Sequence, residues 1–161
     1  SDLLGLEDTS HYEAGQFSTF YLSPTDCHLI FSPMAGQVKA VRHIPGYLYP
    51  VREPYISGHS NLFTENERVV VDMESNGLRF SVVLVGAYNV GSMSVSFDER
   101  VKSNVNTHEV ASFSYDKVSL SPGEHLGTFH LGSTVILVLE KGFSPLKLNL
   151  DAPIQYGQAI S

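Results

Sequence analysis

The residues best suited to chemistry are a glycine and two hydroxyl residues that open an apolar run. In the stretch "HLGSTVILVLE", residues 130–140, Gly132, Ser133 and Thr134 stand where a buried strand is ordinarily apolar already. Gly132 has no Cβ, so its backbone can adopt angles closed to other residues and its carbonyl is open to attack. The Ser133 hydroxyl follows directly and can start an N-to-O acyl shift at that carbonyl. Without other evidence, a β-bulge at a strand start is the better interpretation of these residues.

A second group of reactive side chains lies in "SPTDCHLIFSPMAGQV", residues 23–38. Asp26, Cys27 and His28 are adjacent there, and two Ser-Pro pairs bracket a short apolar segment. Histidine can give or take a proton near neutral pH, which suits acid–base catalysis. A single histidine beside apolar residues is more often a core residue with a hydrogen-bond partner. This segment alone therefore does not establish a site.

Two further segments place polar residues or glycines next to predicted strands. "SNLFTENERVV" puts Asn66, Glu67 and Arg68 directly before a strand, and a solvated loop cap is the simpler explanation of that segment alone. "VGAYNVGS" puts Gly86 and Gly91 inside a strand pattern. Glycine at such positions usually marks a bulge or the close approach of another chain or a ligand.

The composition narrows the classes of function. The chain has 161 residues with 42% hydrophobic and 17% charged residues, which is typical of a globular domain with its own core. A net charge of −7 argues against a nucleic-acid partner, because phosphate binding depends on Lys and Arg. Cys27 is the only cysteine, which excludes an intrachain disulfide and a zinc site with two cysteines from this chain. The 7 histidines show no metal-binding spacing, so we predict no metal site.

Strand patterns dominate the elements that must position these residues. Two β-branched segments flank Asn76 and Gly77, which predicts a hairpin with its tip at that pair. "SPGE" predicts a turn at 121–124, and "QVKAVRHIPGYLYPV" predicts two short strands around Pro45 and Gly46. Helical patterns are short and confined to the first residues and the segment before Glu67. We predict a mainly-β single domain whose antiparallel sheets form a barrel-like or sandwich-like core.

Together these segments resemble the phosphatidylserine decarboxylases, pyruvoyl-dependent enzymes that make phosphatidylethanolamine. The match is collinear and covers nearly the whole chain, with the segments "DLLG", "LSPTDCHLIFSPMAGQV", "PGYLYPV", "NLFTENERVVV", "VLVGAYNVGS", "GTFHLGSTVILVLE" and "YGQAI". "LGST" is the most specific segment, and "NERVV" followed by "VGAxNVGS" is the next. The resemblance implies a catalytic domain over 1–161 that lacks the N-terminal segment of the family, so we expect the sequence to be part of something longer.

The resemblance also implies a reaction. In that family the protein cuts its own peptide bond between the glycine and serine of this motif, here Gly132 and Ser133. A larger chain, 1–132, and a smaller chain, 133–161, would result, and the smaller would begin with a pyruvoyl group made from Ser133. This carbonyl would form a Schiff base with the substrate amine and serve as the electron sink for the loss of CO2, without a metal.

Residue roles carried over from the family depart from its pattern at one position. His28 matches the first histidine of a His-x-x-His motif, which is associated with the decarboxylation step. Phe31 stands where the second histidine, the base of self-cleavage, would be, and the aspartate that holds that base would precede this chain. His59 and His130 are left open as substitutes. The other positions implied to line the pocket or support the motifs are Asp26, Phe31, Asn66, Glu67, Arg68, Gly86, Ala87, Gly91, Ser92 and Thr134.

A phospholipid substrate would bring the protein to a bilayer. We expect peripheral contact with a bacterial inner membrane or an organellar membrane, although the chain itself looks soluble, and a homo-oligomer is left open. Candidate contacts are Phe17, Phe20, Tyr47 and Tyr49, with core packing as the safer interpretation. Two other functions stay open. One is a processing-deficient relative that binds a lipid or a partner, which Phe31 favours, and the other is a pyruvoyl decarboxylase of another amino-acid-like substrate.

Overall fold

Strands dominate the secondary structure between Gln16 and Leu139. The structure is a computed structural model that describes residues 2–51, 54–88, 92–130, 134–150 and 152–161. Within these ranges the strands are β1 Gln16–Tyr21, β2 Leu29–Phe31, β3 Gly36–Ile44, β4 Arg68–Ser75, β5 Leu78–Val85, β6 Met93–Val95, β7 Ala111–Ser114, β8 Ser119–Leu120, β9 His125–Phe129 and β10 Thr134–Leu139. The helical pieces are a 3-10 turn, Ser10–Tyr12, and two single turns, α1 Tyr55–Gly58 and α2 Leu62–Glu65. The mainly-β prediction is confirmed.

The strands form two antiparallel sheets. The larger has the order β1-β10-β5-β4-β3-β7, with β8 also paired to β3, and the smaller has the order β2-β9-β6. Apolar side chains from both sheets form one buried cluster, which includes Val71 and Phe80 of the large sheet and Leu126 and Phe129 of the small one. Across the described ranges the large sheet does not close into a barrel, so the sandwich-like form of the prediction is the one observed.

The two predicted turns have the backbone that their residues favour. Asn76 and Gly77 have φ of 51° and 79°, and positive φ at both central positions suits a two-residue hairpin loop. β4 and β5 pair from this tip to the other end of the hairpin, where Arg68 lies opposite Val85. At 121–124 the Glu124 N–H donates to the carbonyl of Ser121 at 3.0 Å. Both turn predictions are confirmed.

The prediction of two short strands around Pro45 and Gly46 is wrong. One nine-residue strand, β3, ends at Ile44, and beyond the Pro-Gly pair only an isolated bridge between Tyr47 and Asn66 is found. Pro45 has no N–H for a ladder, which stops β3. A Cβ at position 46 would overlap the backbone of residues 65–67. Because Gly46 has no Cβ, the chain can pass close to the end of α2 at this point, and β3 does not continue.

A segment at the start of the chain covers the outer face of the large sheet. Leu4 packs there in a second apolar cluster with side chains of β3, β4, β5 and β10. Arg68 donates from Nη2 to the Asp2 carbonyl at 2.6 Å and from Nε to the Leu3 carbonyl at 2.8 Å. Arg42 donates to the Leu4 carbonyl at 2.9 Å. Among the residues described, no helix has the length and apolar content needed to cross a membrane.

Candidate functional site

The predicted cleavage site lies between two strands of different sheets. β9 of the small sheet ends at Phe129, and β10 of the large sheet begins at Thr134. Gly132 and Ser133 lie outside the described residues, as does Gly91, so their roles stay predictions. The residues on both sides of the site are described, and they define its surroundings.

The end of β9 is held from both sides. The Phe129 N–H donates to the carbonyl of His28, which directly precedes β2, at 3.0 Å. The His130 N–H donates to the carbonyl of Ser92, which directly precedes β6, also at 3.0 Å. Ser94 Oγ lies 3.2 Å from Nε2 of His130. The structure thus brings predicted residues His28 and Ser92 to the strand end that precedes Gly132.

The start of β10 is equally well anchored. Thr134 is buried, and its backbone lies opposite Tyr21 of β1 and Val85 of β5. Val85 in turn lies opposite Arg68 of β4. Because Gly86 follows Val85, three segments meet at one end of the large sheet: the beginning of "TVILVLE", the end of "VLVG" and the "NERVV" segment. Three motifs that are far apart in sequence therefore share one location.

His28 is oriented by its own loop. Its ring Nε2 lies 3.0 Å from the carbonyl of Ser23, so Nε2 carries the hydrogen of that bond and Nδ1 is the acceptor of the neutral ring. A carboxylate oxygen of Asp26 accepts the Ser23 N–H at 2.7 Å and closes the turn. Asp26 is exposed and acts on His28 only through Ser23. The histidine ring is half-buried and held in place.

Phe31 does not lie at the strand end where His28 lies. In the β2–β9 pairing it is opposite His125, further from the β9 end than His28 is. Its ring centroid is 4.5 Å from that of Tyr156 near the end of the chain and 6.1 Å from that of His125. The described contacts of Phe31 are therefore aromatic packing contacts.

The two histidines left open as substitutes for a base at position 31 have different surroundings. His59 donates from Nε2 to a carboxylate oxygen of Glu65 at 2.8 Å and lies against the ring of Tyr49. His130 is exposed and comes directly after β9, three positions before Ser133. Of these two, His130 is the one adjacent to the predicted cleavage site.

The "NER" residues are buried, so the solvated-cap interpretation is wrong for them. The Asn66 amide donates to the carbonyls of Tyr49 and Gly86, both at 2.9 Å, and accepts the Tyr49 N–H at 3.0 Å. Arg68 binds the carbonyls of the N-terminal segment, and burial lowers the pKa of its guanidinium. These contacts are structural, and the predicted role of the segment in the pocket or its motifs stays a prediction.

Sequence reasoning missed His43 as the partner of Glu67. The His43 Nε2 donates to Oε1 of Glu67 at 2.6 Å, and both side chains are buried. The available signal was the pair Arg42 and His43 inside an otherwise apolar part of β3, where two consecutive polar residues place one on each face of the sheet. Ala87, predicted as motif support, is buried against Val51.

The aromatic residues proposed for membrane contact divide into two groups. Phe17 is 74% exposed and Tyr47 is 62% exposed, so the core-packing interpretation is wrong for both. Phe20 and Tyr49 are half-buried.

In the parts of the chain that the structure describes, no three residues of the His, Cys, Asp and Glu types are grouped to hold a metal ion.

Three known proteins to which this chain is similar carry the same name. A family model described as phosphatidylserine decarboxylase matches residues 1–161. A phosphatidylserine decarboxylase proenzyme of Campylobacter jejuni is 34% identical over 145 residues, which cover 90% of this chain and 54% of the relative. Proenzymes of the same name from Marinobacter nauticus and Alcanivorax borkumensis are 36% and 37% identical and are covered to 58% and 52%. The chain spans about half the length of these curated relatives.

Proposed function

Because the chain belongs to the phosphatidylserine decarboxylase family, we propose that it converts phosphatidylserine to phosphatidylethanolamine after cutting its own Gly132–Ser133 bond. The observation that carries this proposal is the position of that bond between two central strands. β9 is paired on both sides by β2 and β6, and β10 is paired on both sides by β1 and β5. A cut between them leaves both new chain ends next to strands that have a partner on each side.

The smaller chain would stay in the fold after the cut. All six residues of β10 pair with β1 and with β5. Ile136, Leu137 and Leu139 are buried, and burying each such side chain contributes about 1.5–3 kcal/mol. Gln16 of the larger chain also accepts the Leu146 N–H at 2.8 Å and so binds the segment after β10. A new terminus at position 133 would therefore be held at a defined place.

The self-cleavage needs no oxidant or added group. The Ser133 Oγ attacks the Gly132 carbonyl carbon, its proton goes to a base, and the C–N bond breaks as the Ser133 nitrogen gains a proton. The resulting ester loses the Cα proton of residue 133, and the Cβ–Oγ bond breaks to release the Gly132 carboxylate. The dehydroalanine that remains tautomerises, adds water and loses ammonia to give the pyruvoyl group. That group supplies the electron sink for decarboxylation.

His28 and His130 are the imidazoles that we assign to this chemistry. His130 lies directly after β9 and takes the Ser133 proton in place of the histidine absent at position 31. His28, whose Nε2–H is held by the Ser23 carbonyl, takes up a proton at Nδ1 and gives it to the substrate carbon once CO2 has left. The support for both assignments is their place at the end of β9.

The lipid substrate implies a membrane contact at the same end of the large sheet. Tyr47 is exposed and bridges to Asn66, and Tyr21 is exposed opposite Thr134. Phe17 lies further along β1, opposite Val138. The net charge is −7, so a polybasic patch is not expected to bind the membrane. We propose instead that apolar and aromatic side chains, Tyr47 above all, make a peripheral contact with the bilayer.

A serine-to-alanine change tests the proposed function. Ser133→Ala removes the hydroxyl that attacks Gly132, so we expect neither fragments on a denaturing gel nor CO2 release from vesicles that contain phosphatidylserine. Ser144→Ala, which changes an exposed serine of the smaller chain, is the control and should behave as the unaltered protein. Release of CO2 by the Ser133→Ala protein would exclude the pyruvoyl mechanism.

A second candidate function is a relative that does not process itself and binds a lipid or a partner. The packing of Phe31 against Tyr156 favours it, because the residue in the place of the family's base has a structural contact instead. This candidate predicts a single intact chain with an unmodified serine at 133.

A further inference from the structure

A buried histidine–glutamate pair, His43 and Glu67, lies next to the three motifs, and the proposed reaction does not use it. The side chains of His43 and Glu67 are 2% and 6% exposed, and their Nε2 and Oε1 atoms are 2.6 Å apart. A carboxylate is costly to bury unless it is paired and fully hydrogen-bonded. The same Oε1 also accepts the Asn104 N–H at 2.7 Å. The Glu67 carboxylate therefore binds both His43 and the backbone at Asn104.

Glu67 reaches the first residue of segment 86–93, which contains most of the "VGAYNVGS" motif and leads into β6. The Glu67 carbonyl accepts the Gly86 N–H at 2.8 Å. Its neighbour Asn66 donates to the Gly86 carbonyl at 2.9 Å. The N–H and the carbonyl of Gly86 are thus both hydrogen-bonded, to Glu67 and Asn66, which are consecutive residues of the "NERVV" motif.

Glu67 reaches the last residue of the same segment through a second route. Asn104, whose N–H binds the Glu67 carboxylate, has a positive φ of 55°. The preceding residue, Ser103, is buried, and its Oγ accepts the Met93 N–H at 2.5 Å and donates to the Met93 carbonyl at 3.2 Å. The carboxylate therefore fixes the loop that holds the far end of segment 86–93.

We propose that Glu67, held by His43, is a positioning residue that clamps Gly86 and Met93, and through Met93 and the neighbouring Ser92 sets the end of β9. The link to β9 is direct, because the Ser92 carbonyl binds the His130 N–H and Met93 lies opposite Phe129. The clamp itself is a property of the fold. Its catalytic consequence rests on the proposed function, since the end of β9 precedes the proposed cleavage site.

Hydrogen exchange tests the clamp without requiring any activity. Glu67→Gln keeps the size and the acceptor oxygen but replaces a charge-assisted bond by a neutral one, and charge-assisted bonds are roughly twice as strong. We expect faster exchange at the amides of Asn104, Gly86 and Met93 together. Faster exchange at Asn104 alone, or no change at any of the three, would overturn the clamp.

The chain provides a matched control for this variant. His59 and Glu65 form a second His–Glu pair at 2.8 Å, with side chains that are 37% and 38% exposed. Glu65→Gln changes the same residue type two positions away in sequence. It should leave the exchange of the Gly86, Met93 and Asn104 amides at the rates of the unaltered protein.

Kinetics tests the positioning role. Glu67→Ala removes the acceptor, and a misplacement of about 1 Å in a site can lower the rate on the order of 100-fold. We expect a loss of that order in kcat for decarboxylation with little change in KM, and a smaller loss for Glu67→Gln, which keeps the acceptor oxygen but weakens the bond. A folded Glu67→Ala protein with unchanged kcat would overturn the role.

The outcomes separate the two proposals. If the unaltered protein neither cuts itself nor releases CO2, the proposed function fails, and the exchange pattern of Glu67→Gln still decides on the clamp. If Glu67→Ala does not fold, the same exchange pattern decides. If the unaltered protein is active and Glu67→Gln shows no concerted exchange, the clamp alone fails.

Discussion

Ser133 and His28 have separate tasks in the proposed reaction, and their neighbours reflect the difference. Ser133 is followed by Thr134, whose buried backbone is paired on both sides in the large sheet. His28 precedes the short strand β2, and the Ser23 carbonyl sets the orientation of its ring. A nucleophile that must become a chain end needs a fixed backbone, whereas a proton donor needs an oriented ring.

His28→Ala should separate these tasks. Removing an acid–base group typically costs about 100-fold to 10,000-fold in the step that it serves. We expect a loss in that range for CO2 release from phosphatidylserine vesicles, with a smaller effect on the appearance of the two fragments on a denaturing gel. His108→Ala, at an exposed histidine, serves as the control.

The opposite pattern would assign His28 a different task. Lost self-cleavage with intact decarboxylation in any protein that has been cut would make His28 the base for Ser133. It would also remove the need for His130 in that role.

At the scale of the elements, local signals predicted more than long-range ones. The hairpin between β4 and β5 followed from Asn76 and Gly77, because a two-residue loop needs positive φ at both positions and these residues tolerate it. The polar pair Arg42 and His43 in β3 indicated a buried polar side chain, but not which residue it contacts. Its partner Glu67, directly before β4, lies 24 residues away, and no local pattern specifies that contact.

The hairpin tip gives a prediction of stability. Gly77 has φ of 79°, and nothing lies within 4 Å of a Cβ built there, so Gly77→Ala introduces backbone strain without a clash. Left-handed backbone costs an L-residue roughly 1–2 kcal/mol, and we expect a loss of that order in the free energy of unfolding measured with urea.

Gly58→Ala is the matched control for Gly77→Ala. Gly58 lies in α1, its surroundings are equally open, and its φ is not in the positive range. Alanine there should be neutral or stabilise by up to about 1 kcal/mol. Equal losses for the two variants would contradict the assignment of strain to the turn.

At the scale of the whole molecule, pairing between distant strands builds the candidate site. β1, β5 and β10 come from the beginning, the middle and the end of the chain, yet they are neighbours in the large sheet. This arrangement puts Thr134, Val85 and Arg68 in one row. The sequence predicted the motifs and the mainly-β class, whereas the order of the strands depends on long-range packing that no single segment specifies.

The same arrangement explains how a cut chain could remain one molecule. The proposed smaller chain, 133–161, supplies a central strand of the large sheet, and Ile160 near its end packs against the main apolar cluster. Phe31 and Tyr156 add an aromatic contact between the two proposed chains. If the chain is cut, Phe31 would therefore help to hold the two proposed chains together.

The intact mass of the denatured protein, with and without a carbonyl-reactive hydrazine, is the most direct test of self-cleavage at Gly132–Ser133. We expect a larger chain that ends at Gly132 and a smaller chain that begins at position 133, with only the smaller chain labelled. A single unlabelled chain with an unmodified serine at 133 would contradict self-cleavage and would favour the processing-deficient relative.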